Sequence, residues 1–169
     1  MKNLVEQLSS HLASGRKTIS LAESVTGGMV SAALTSRPGV SSFFRGAVVA
    51  YSSSAKQEIL GVPGKTIAAF GPVSGEVAEE MASGVSKIMK TDMAVATTGL
   101  AGPGGDGTGN PVGLCYIAVF VDGKTSIRRS VYSGGRDAVR QSCAADALLF
   151  CNEMLADILR GKRKPGGNP

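Results

Sequence analysis

The alternation of strand-type and helix-type segments most strongly limits the folds open to this chain. Short apolar, β-favouring runs such as residues 18–22 and 47–51 each give way to a segment with helical spacing of its apolar residues. The predicted order of elements is α-β-α-β-α-α-β-β-β-α. Helices interleaved with strands favour an α/β fold. We therefore expect a three-layer α/β/α sandwich built on a mixed sheet of about five strands.

The chain of 169 residues fits a single domain. We predict that this domain covers residues 1–159, with no internal boundary. The second predicted strand has no polar residue, so we expect it to be covered on both faces of the sheet. The predicted helices cover residues 3–14, 27–36, 55–60, 74–90 and 137–159, and the predicted strands cover residues 18–22, 47–51, 93–97, 112–121 and 124–132.

The formal net charge of +5 is concentrated near the carboxyl end of the chain. Arg160, Lys162, Arg163 and Lys164 supply four positive charges, which leaves about +1 for the rest. We expect residues 160–169 to form a flexible basic tail. A pI of 9.3 that rests on this tail gives little reason to expect nucleic acid as a partner. A weak contact between the tail and a polyanion is the alternative.

The sequence predicts a cytoplasmic protein that does not enter a membrane. Residues 2–14 show helical alternation where a secretory leader would be apolar, and no run of about 18 apolar residues occurs. Cys115, Cys143 and Cys151 form an odd set. On one helix, the last two would be about 12 Å apart along the axis, which is too far for a disulfide. We therefore expect buried free thiols in a reducing compartment.

A glycine-rich loop is predicted over residues 99–111. Three of its glycines match the G-x-G-x-x-G pattern of dinucleotide-binding folds, but that motif requires a helix directly after the glycines, and here a strand follows. The junction between strand and loop, with Thr98, Gly99 and Gly102, lies where α/β sheets commonly bind ligands. We expect backbone N–H groups to approach a ligand there. A purely structural loop is the alternative.

Ser24 lies at a predicted strand-to-helix junction, two residues before Thr26-Gly27-Gly28. A helix N-cap alone would explain a hydroxyl at this position. The functional interpretation is a nucleophile at the start of a helix, where free N–H groups of Gly27 and Gly28 would hold an oxyanion or a phosphate. The spacing leaves both interpretations open.

A nucleophilic serine needs a base, and Lys56 is the best candidate. The single histidine, His11, flanks the apolar stripe of the first predicted helix, where a catalytic role is not expected. A lysine base must be neutral, which requires its pKa to fall by about 3 units or more. Tyr51, at the predicted end of the second strand, would relay a proton between the serine and the amine. The alternative is that Tyr51 packs and Lys56 is solvated.

Arg136 and Arg140 are four residues apart at the start of the last predicted helix. They would clamp a phosphate, or they form a solvated helix face. No metal site and no cofactor are predicted, because the chain has one histidine and no cysteine pair at ligand spacing.

Several of these stretches, taken in order, resemble the C-terminal domain of the CinA family. The resemblance covers residues 4–159, and any single piece of it would be weak. The matching stretches are Ala22-Glu23-Ser24-x-Thr26-Gly27-Gly28, Tyr51-Ser52-x-x-x-Lys56, Gly61-Val62, Val73-Ser74, Thr98-Gly99-x-Ala101-Gly102-Pro103, Pro111-Val112-Gly113 and Gly135-Arg136-x-x-x-Arg140.

The resemblance implies an amidase that converts nicotinamide mononucleotide to nicotinate mononucleotide and ammonia, for recycling into NAD. By this resemblance, the nucleophilic serine of the amidase is Ser24, its tyrosine is Tyr51 and its lysine is Lys56. It also favours a small-molecule nucleotide as partner and a homo-oligomer, with a dimer the first choice. The candidate substrate-binding residues are Thr26, Gly27, Gly28, Thr98, Gly99, Gly102, Arg136 and Arg140.

One departure from the family pattern is Ser53, which stands where the family often has asparagine. We therefore expect no contact through a side-chain amide at this position. The family also contains proteins described only as competence- or damage-inducible, so a non-catalytic nucleotide-binding module is the main alternative function. An esterase or peptidase that uses the same serine nucleophile and lysine base is a second alternative. A DNA-processing role is the third, and only the basic tail supports it.

Overall fold

Five strands form one mixed sheet in the computed structural model, which describes residues 1–161. The order across the sheet is second, first, third, fourth, fifth. The first strand pairs in parallel with the second and the third, and the fourth pairs antiparallel with the third and the fifth. The strands are β1 (Ile19–Glu23), β2 (Phe44–Val49), β3 (Met93–Gly99), β4 (Leu114–Val121) and β5 (Lys124–Val131), and the helices are α1 (Lys2–Gly15), α2 (Met29–Thr35), α3 (Ser53–Glu58), α4 (Gly64–Phe70), α5 (Gly75–Met89) and α6 (Arg136–Gly161).

Helices cover both faces of the sheet, which confirms the predicted three-layer α/β/α architecture. One face carries larger side chains, such as Leu21 and Ile117, and packs against α1, α2 and α6. The other face carries alanines, such as Ala22 and Ala96, and packs against α5. Small side chains on this second face leave room for the α5 backbone to lie close to the sheet.

Two strands differ from the sequence predictions in ways that affect the site. The second strand was predicted over residues 47–51 and covered on both faces, but β2 is an edge strand that pairs only with β1, and Val49 is 48% exposed. An apolar run does not reveal how many neighbours a strand has, which explains this error. β3 continues through Gly99, two residues beyond its predicted end, so it includes Thr98 and the first residue of the predicted glycine-rich loop.

The last helix extends beyond the end of the predicted domain. It runs through Gly161, so the first two residues of the predicted tail are helical. Residues 162–169, the remainder of the predicted basic tail, lie outside the described residues.

Over residues 1–161, no helix combines the length and the apolar character that crossing a membrane requires. The three cysteines are buried and free of disulfides.

Candidate active site

A pocket of about 430 Å³ opens where the carboxyl ends of the parallel strands meet. Because β1, β2 and β3 are parallel and adjacent, the residues that follow or end them come together at one edge of the sheet. A larger groove of about 820 Å³, between the start of α1 and the end of α2, contains none of the predicted site residues. The predicted site residues that line the smaller pocket are Ser24, Tyr51, Lys56, Thr98, Gly99, Gly102 and Arg136.

Ser24 is the first residue after β1 and lies in a tight turn. Its N–H donates to the carbonyl oxygen of Thr97 in β3 (2.9 Å), and its own carbonyl accepts from the N–H of Gly27 (3.1 Å). Gly27 takes a positive φ of 58°, which the turn requires and which other residues rarely adopt. The N-cap of α2 is Gly28, and the side chain that accepts from the N–H groups of this helix end is the carboxylate of Glu23, not the Ser24 hydroxyl. The interpretation of Ser24 as an N-cap is therefore wrong, and its side chain faces the pocket.

The N–H groups of Gly27 and Gly28 are not free to hold an oxyanion, contrary to the prediction. The first donates to Ser24, as described above, and the second donates to a carboxylate oxygen of Glu23 (2.9 Å). Both glycines, together with Thr26, form the turn behind Ser24 and do not line the pocket. The sequence does not show this, because an internal anion occupies the donors that a helix start normally offers to a ligand.

Arg140 supports this turn from outside the pocket. Its guanidinium group donates to the carbonyl oxygens of Val25 (3.2 Å) and Thr26 (3.3 Å). It also lies 3.6 Å from the carboxylate of Asp137, one turn earlier in α6. Arg140 therefore stabilises the serine turn. Of the two arginines predicted to clamp a phosphate, only Arg136 lines the pocket.

Lys56 points into the pocket floor and is only 3% exposed. It lies in α3, which begins where the Ser52 hydroxyl accepts a hydrogen bond from the N–H of Ala55 (3.1 Å). Its amine donates to the carbonyl oxygen of Pro72 (2.9 Å) and to the hydroxyl of Thr98 (3.1 Å). Burial lowers the pKa of Lys56 from 10.5 to about 8. The alternative of a solvated lysine is therefore wrong, and a neutral amine is accessible near physiological pH.

Tyr51 and Arg136 form the rim of the pocket. Tyr51 is 60% exposed, because it follows the edge strand β2 and no neighbouring strand covers it. Its phenolic oxygen accepts a hydrogen bond from Arg136, whose guanidinium also donates to the carbonyl oxygen of Gly102 (2.9 Å). Arg136 thus holds the phenol at the rim. The relay hypothesis instead requires the phenol to bridge Ser24 and Lys56.

Glu23 is a site residue that the sequence reasoning missed. The first strand was predicted to end one residue earlier, at residue 22, but Glu23 is the last paired residue of β1 and is 1% exposed. An acidic residue shortly before a helix start was the available signal, since carboxylates favour helix N-termini. The carbonyl of Pro72, which holds Lys56, had no comparable signal in the sequence.

The fold and the pocket define a mixed α/β domain with a serine turn and a buried lysine at the carboxyl edge of its sheet. The chain belongs to the family of the CinA C-terminal domain, whose family model matches residues 1–155.

Curated relatives share this domain within longer proteins. The chain is 42% identical over 145 residues to a putative competence-damage inducible protein of Clostridioides difficile, an alignment that covers 86% of this chain and 35% of the relative. It is 42% identical over 142 residues to a CinA-like protein of Kosmotoga olearia, covering 84% and 34%. The chain therefore spans about a third of the length of the curated relatives that it matches.

Solved structures of this superfamily have the same fold along almost their entire length. A CinA superfamily protein of Klebsiella pneumoniae superposes with a TM-score of 0.90 at 30% identity, covering 92% of this chain and 98% of that one. A competence/damage inducible protein, CihA, of Agrobacterium tumefaciens gives a TM-score of 0.86 at 33% identity, covering 92% and 94%.

Proposed function

We propose that this domain is an amidase that hydrolyses the carboxamide of nicotinamide mononucleotide to nicotinate mononucleotide and ammonia. One observation carries the proposal: the Lys56 amine is buried, with a pKa lowered to about 8, in the same pocket as the Ser24 hydroxyl. A serine becomes a useful nucleophile only beside a group that takes its proton, and a desolvated lysine is such a group.

In the proposed mechanism, neutral Lys56 accepts the Ser24 proton while the serine oxygen attacks the carboxamide carbon. The tetrahedral oxyanion needs a donor other than Gly27 or Gly28. We assign this role to the N–H of Val25, because it belongs to the residue after the nucleophile and Val25 lines the pocket. Protonated Lys56 returns the proton to the leaving nitrogen, which departs as ammonia. Water then hydrolyses the acyl-enzyme, with Lys56 again as the base.

The proposed substrate phosphate binds at the rim, where Arg136 is the available cation. Its guanidinium already bridges Tyr51 and Gly102, so it reaches across the pocket mouth. A phosphate would draw it away from the phenol, because charge-assisted pairs are stronger than contacts with neutral oxygens. Tyr51 would then be free to turn toward Ser24 and act as the proton relay. The pocket volume is within the range of small-molecule sites.

The test measures ammonia release from nicotinamide mononucleotide by the purified chain, by Ser24→Ala and by Ser36→Ala. Ser36 is an exposed serine at the end of α2, does not line the pocket, and serves as the matched control. We expect Ser24→Ala to lose about 10³-fold or more in kcat with an unchanged circular dichroism spectrum, and Ser36→Ala to match the parent. Turnover by Ser24→Ala near the parent rate contradicts the mechanism. Activity that a chelator abolishes contradicts the metal-free scheme.

A second candidate is a non-catalytic nucleotide-binding module. The contact between Tyr51 and Arg136 favours it, because the phenol does not bridge the serine and the lysine. This candidate predicts that nicotinamide mononucleotide raises the melting temperature of the chain without any release of ammonia. An ammonia signal that depends on Ser24 eliminates it.

A further inference from the structure

The carboxylate of Glu23 spans the turn that carries Ser24. One of its oxygens accepts hydrogen bonds from the Thr26 hydroxyl (2.7 Å) and from the N–H groups of Gly28 (2.9 Å) and Val30 (3.1 Å). The other oxygen accepts from the N–H of Ser31 (2.8 Å). A buried carboxylate is costly unless donors surround it, and these four donors meet that requirement.

The backbone of Glu23 is fixed as firmly as its side chain. It pairs with both neighbouring strands, opposite Val49 in β2 and Thr97 in β3, and its carbonyl accepts from the N–H of Ala50 (2.8 Å). The serine turn is therefore held between a backbone locked in the sheet and a side chain locked onto α2. A short neutral cap such as serine would satisfy the helix end alone, but it would not reach across this turn.

The same carboxylate connects the serine turn to the strand that holds the lysine. The Thr26 hydroxyl, which donates to Glu23, also lies 2.7 Å from the hydroxyl of Thr97. Thr97 precedes Thr98, whose hydroxyl accepts a hydrogen bond from Lys56. Side-chain contacts thus run from Glu23 through Thr26 to β3, beside the residue that holds the amine.

We propose that Glu23 is a positioning residue, which sets the Ser24 oxygen against the Lys56 amine and touches neither the substrate nor the reacting atoms. This proposal rests on the proposed function for its kinetic readout. A second readout is independent of any substrate: the rate at which a fluorophosphonate probe labels the serine oxygen, with release of fluoride.

The test compares Glu23→Gln with Ser20→Ala. The amide nitrogen of glutamine cannot accept the hydrogen bonds that one carboxylate oxygen accepts. We expect kcat and the labelling rate to fall about 100-fold together, since a displacement of about 1 Å can cost that much. We expect KM to change less than about 3-fold, and the rate profile to keep its inflection near pH 8, because Arg136 and Lys56 are untouched.

Ser20→Ala is the matched control. Ser20 lies in the same strand at the end away from Ser24, is fully buried, and its hydroxyl lies 2.7 Å from that of Thr91. This variant should melt at a lower temperature and retain the parent's kcat and labelling rate. If Glu23→Gln likewise loses only melting temperature, the positioning role is refuted.

A second pair decides the question if Glu23→Gln does not fold. Thr26→Val removes one donor to the carboxylate and should slow labelling about 10-fold, whereas Thr26→Ser keeps the hydroxyl and should restore the rate. Equal labelling of the two variants refutes the proposal.

The outcomes separate this proposal from the proposed function. A parent chain that is labelled, that slows in Glu23→Gln, and that releases no ammonia refutes the amidase and supports the positioning role. If the parent releases ammonia and Glu23→Gln retains the parent's kcat and labelling rate, the amidase is supported and the positioning role is refuted. A parent chain that the probe does not label and that releases no ammonia refutes both.

Discussion

The amine of Lys56 and the hydroxyl of Thr98 lie 3.1 Å apart, and both donate hydrogen bonds to the carbonyl oxygen of Pro72. The single proton of the threonine goes to Pro72, so its oxygen accepts from the amine. A neutral amine has two protons and one lone pair, and these two acceptors take both protons. The lone pair then remains available for a proton from the pocket, which is what a general base requires.

The first prediction concerns the pH dependence of ammonia release. Because the pKa of Lys56 is lowered to about 8, only about a tenth of the amine is neutral at pH 7. We expect kcat/KM to rise about tenfold per pH unit below the pKa and to level off above it. A profile measured from pH 6 to pH 9.5 checks this. A rate that is flat across pH 7–9 would mean that Lys56 is not the base.

The second prediction is that Lys56→Met stabilises the fold while it abolishes turnover. Burial disfavours the charged amine, so the native state binds fewer protons than the unfolded chain between about pH 8 and 10.5. The stability of the parent therefore rises as the pH increases through that window. Below the window, the free-energy cost of burying the charged amine is fully present. We expect the free energy of unfolding of the variant to exceed that of the parent by on the order of 1–3 kcal/mol at pH 7. The loss of the two hydrogen bonds made by the amine reduces this gain.

Urea unfolding of the parent and of Lys56→Met at pH 7 and at pH 10.5 measures this difference. The stability gain should shrink at the higher pH, where the parent no longer carries a buried charge. A variant that is less stable than the parent at pH 7 contradicts the prediction.

The layered fold was predictable because each element carries its own local signal. Ser74, for example, was predicted to open a helix, and its hydroxyl accepts from the N–H of Val77 at the start of α5. The sheet order carries no such local signal. An apolar run such as residues 47–51 is compatible with an edge or a central position, and only the pairing with β1 alone makes β2 an edge.

The site was predictable only as far as the ends of strands could be located. Ser24 and Lys56 follow parallel strands, so their approach to one edge of the sheet follows from topology. Contacts set by side-chain reach could not be read from spacing. Examples are the Glu23 carboxylate on the N–H of Gly28 and the phenol of Tyr51 on Arg136.

The third prediction separates two arginines that lie one turn apart in α6. Arg136→Leu should raise KM for nicotinamide mononucleotide about 10- to 100-fold and leave KM for nicotinamide riboside, which lacks the phosphate, nearly unchanged. Arg140→Leu should instead lower kcat for both substrates, because it removes the donors to Val25 and Thr26 behind the serine turn. Equal KM changes for the two substrates in Arg136→Leu would refute a phosphate contact.

The last prediction concerns Gly84, in the interior of α5. Alanine is normally preferred to glycine inside a helix by about 1 kcal/mol. Here a Cβ at position 84 would lie 2.0 Å from the carbonyl oxygen of Leu60, a backbone atom that cannot rotate away. Leu60 follows α3, and the N–H of Val62 donates to the carbonyl oxygen of Lys56 (3.1 Å). A displacement of this segment therefore reaches the residue that carries the amine.

We expect Gly84→Ala to lose about 1–3 kcal/mol of stability and to lower kcat, since overpacking forces the backbone to move. Gly135→Ala is the control, because a Cβ at that position meets no atom within 4 Å. Thermal melts and ammonia release of both variants check the prediction. A Gly84→Ala variant that melts at or above the parent temperature would show that α5 and the Leu60 segment are not in close contact, and the placement of Lys56 would then need another support.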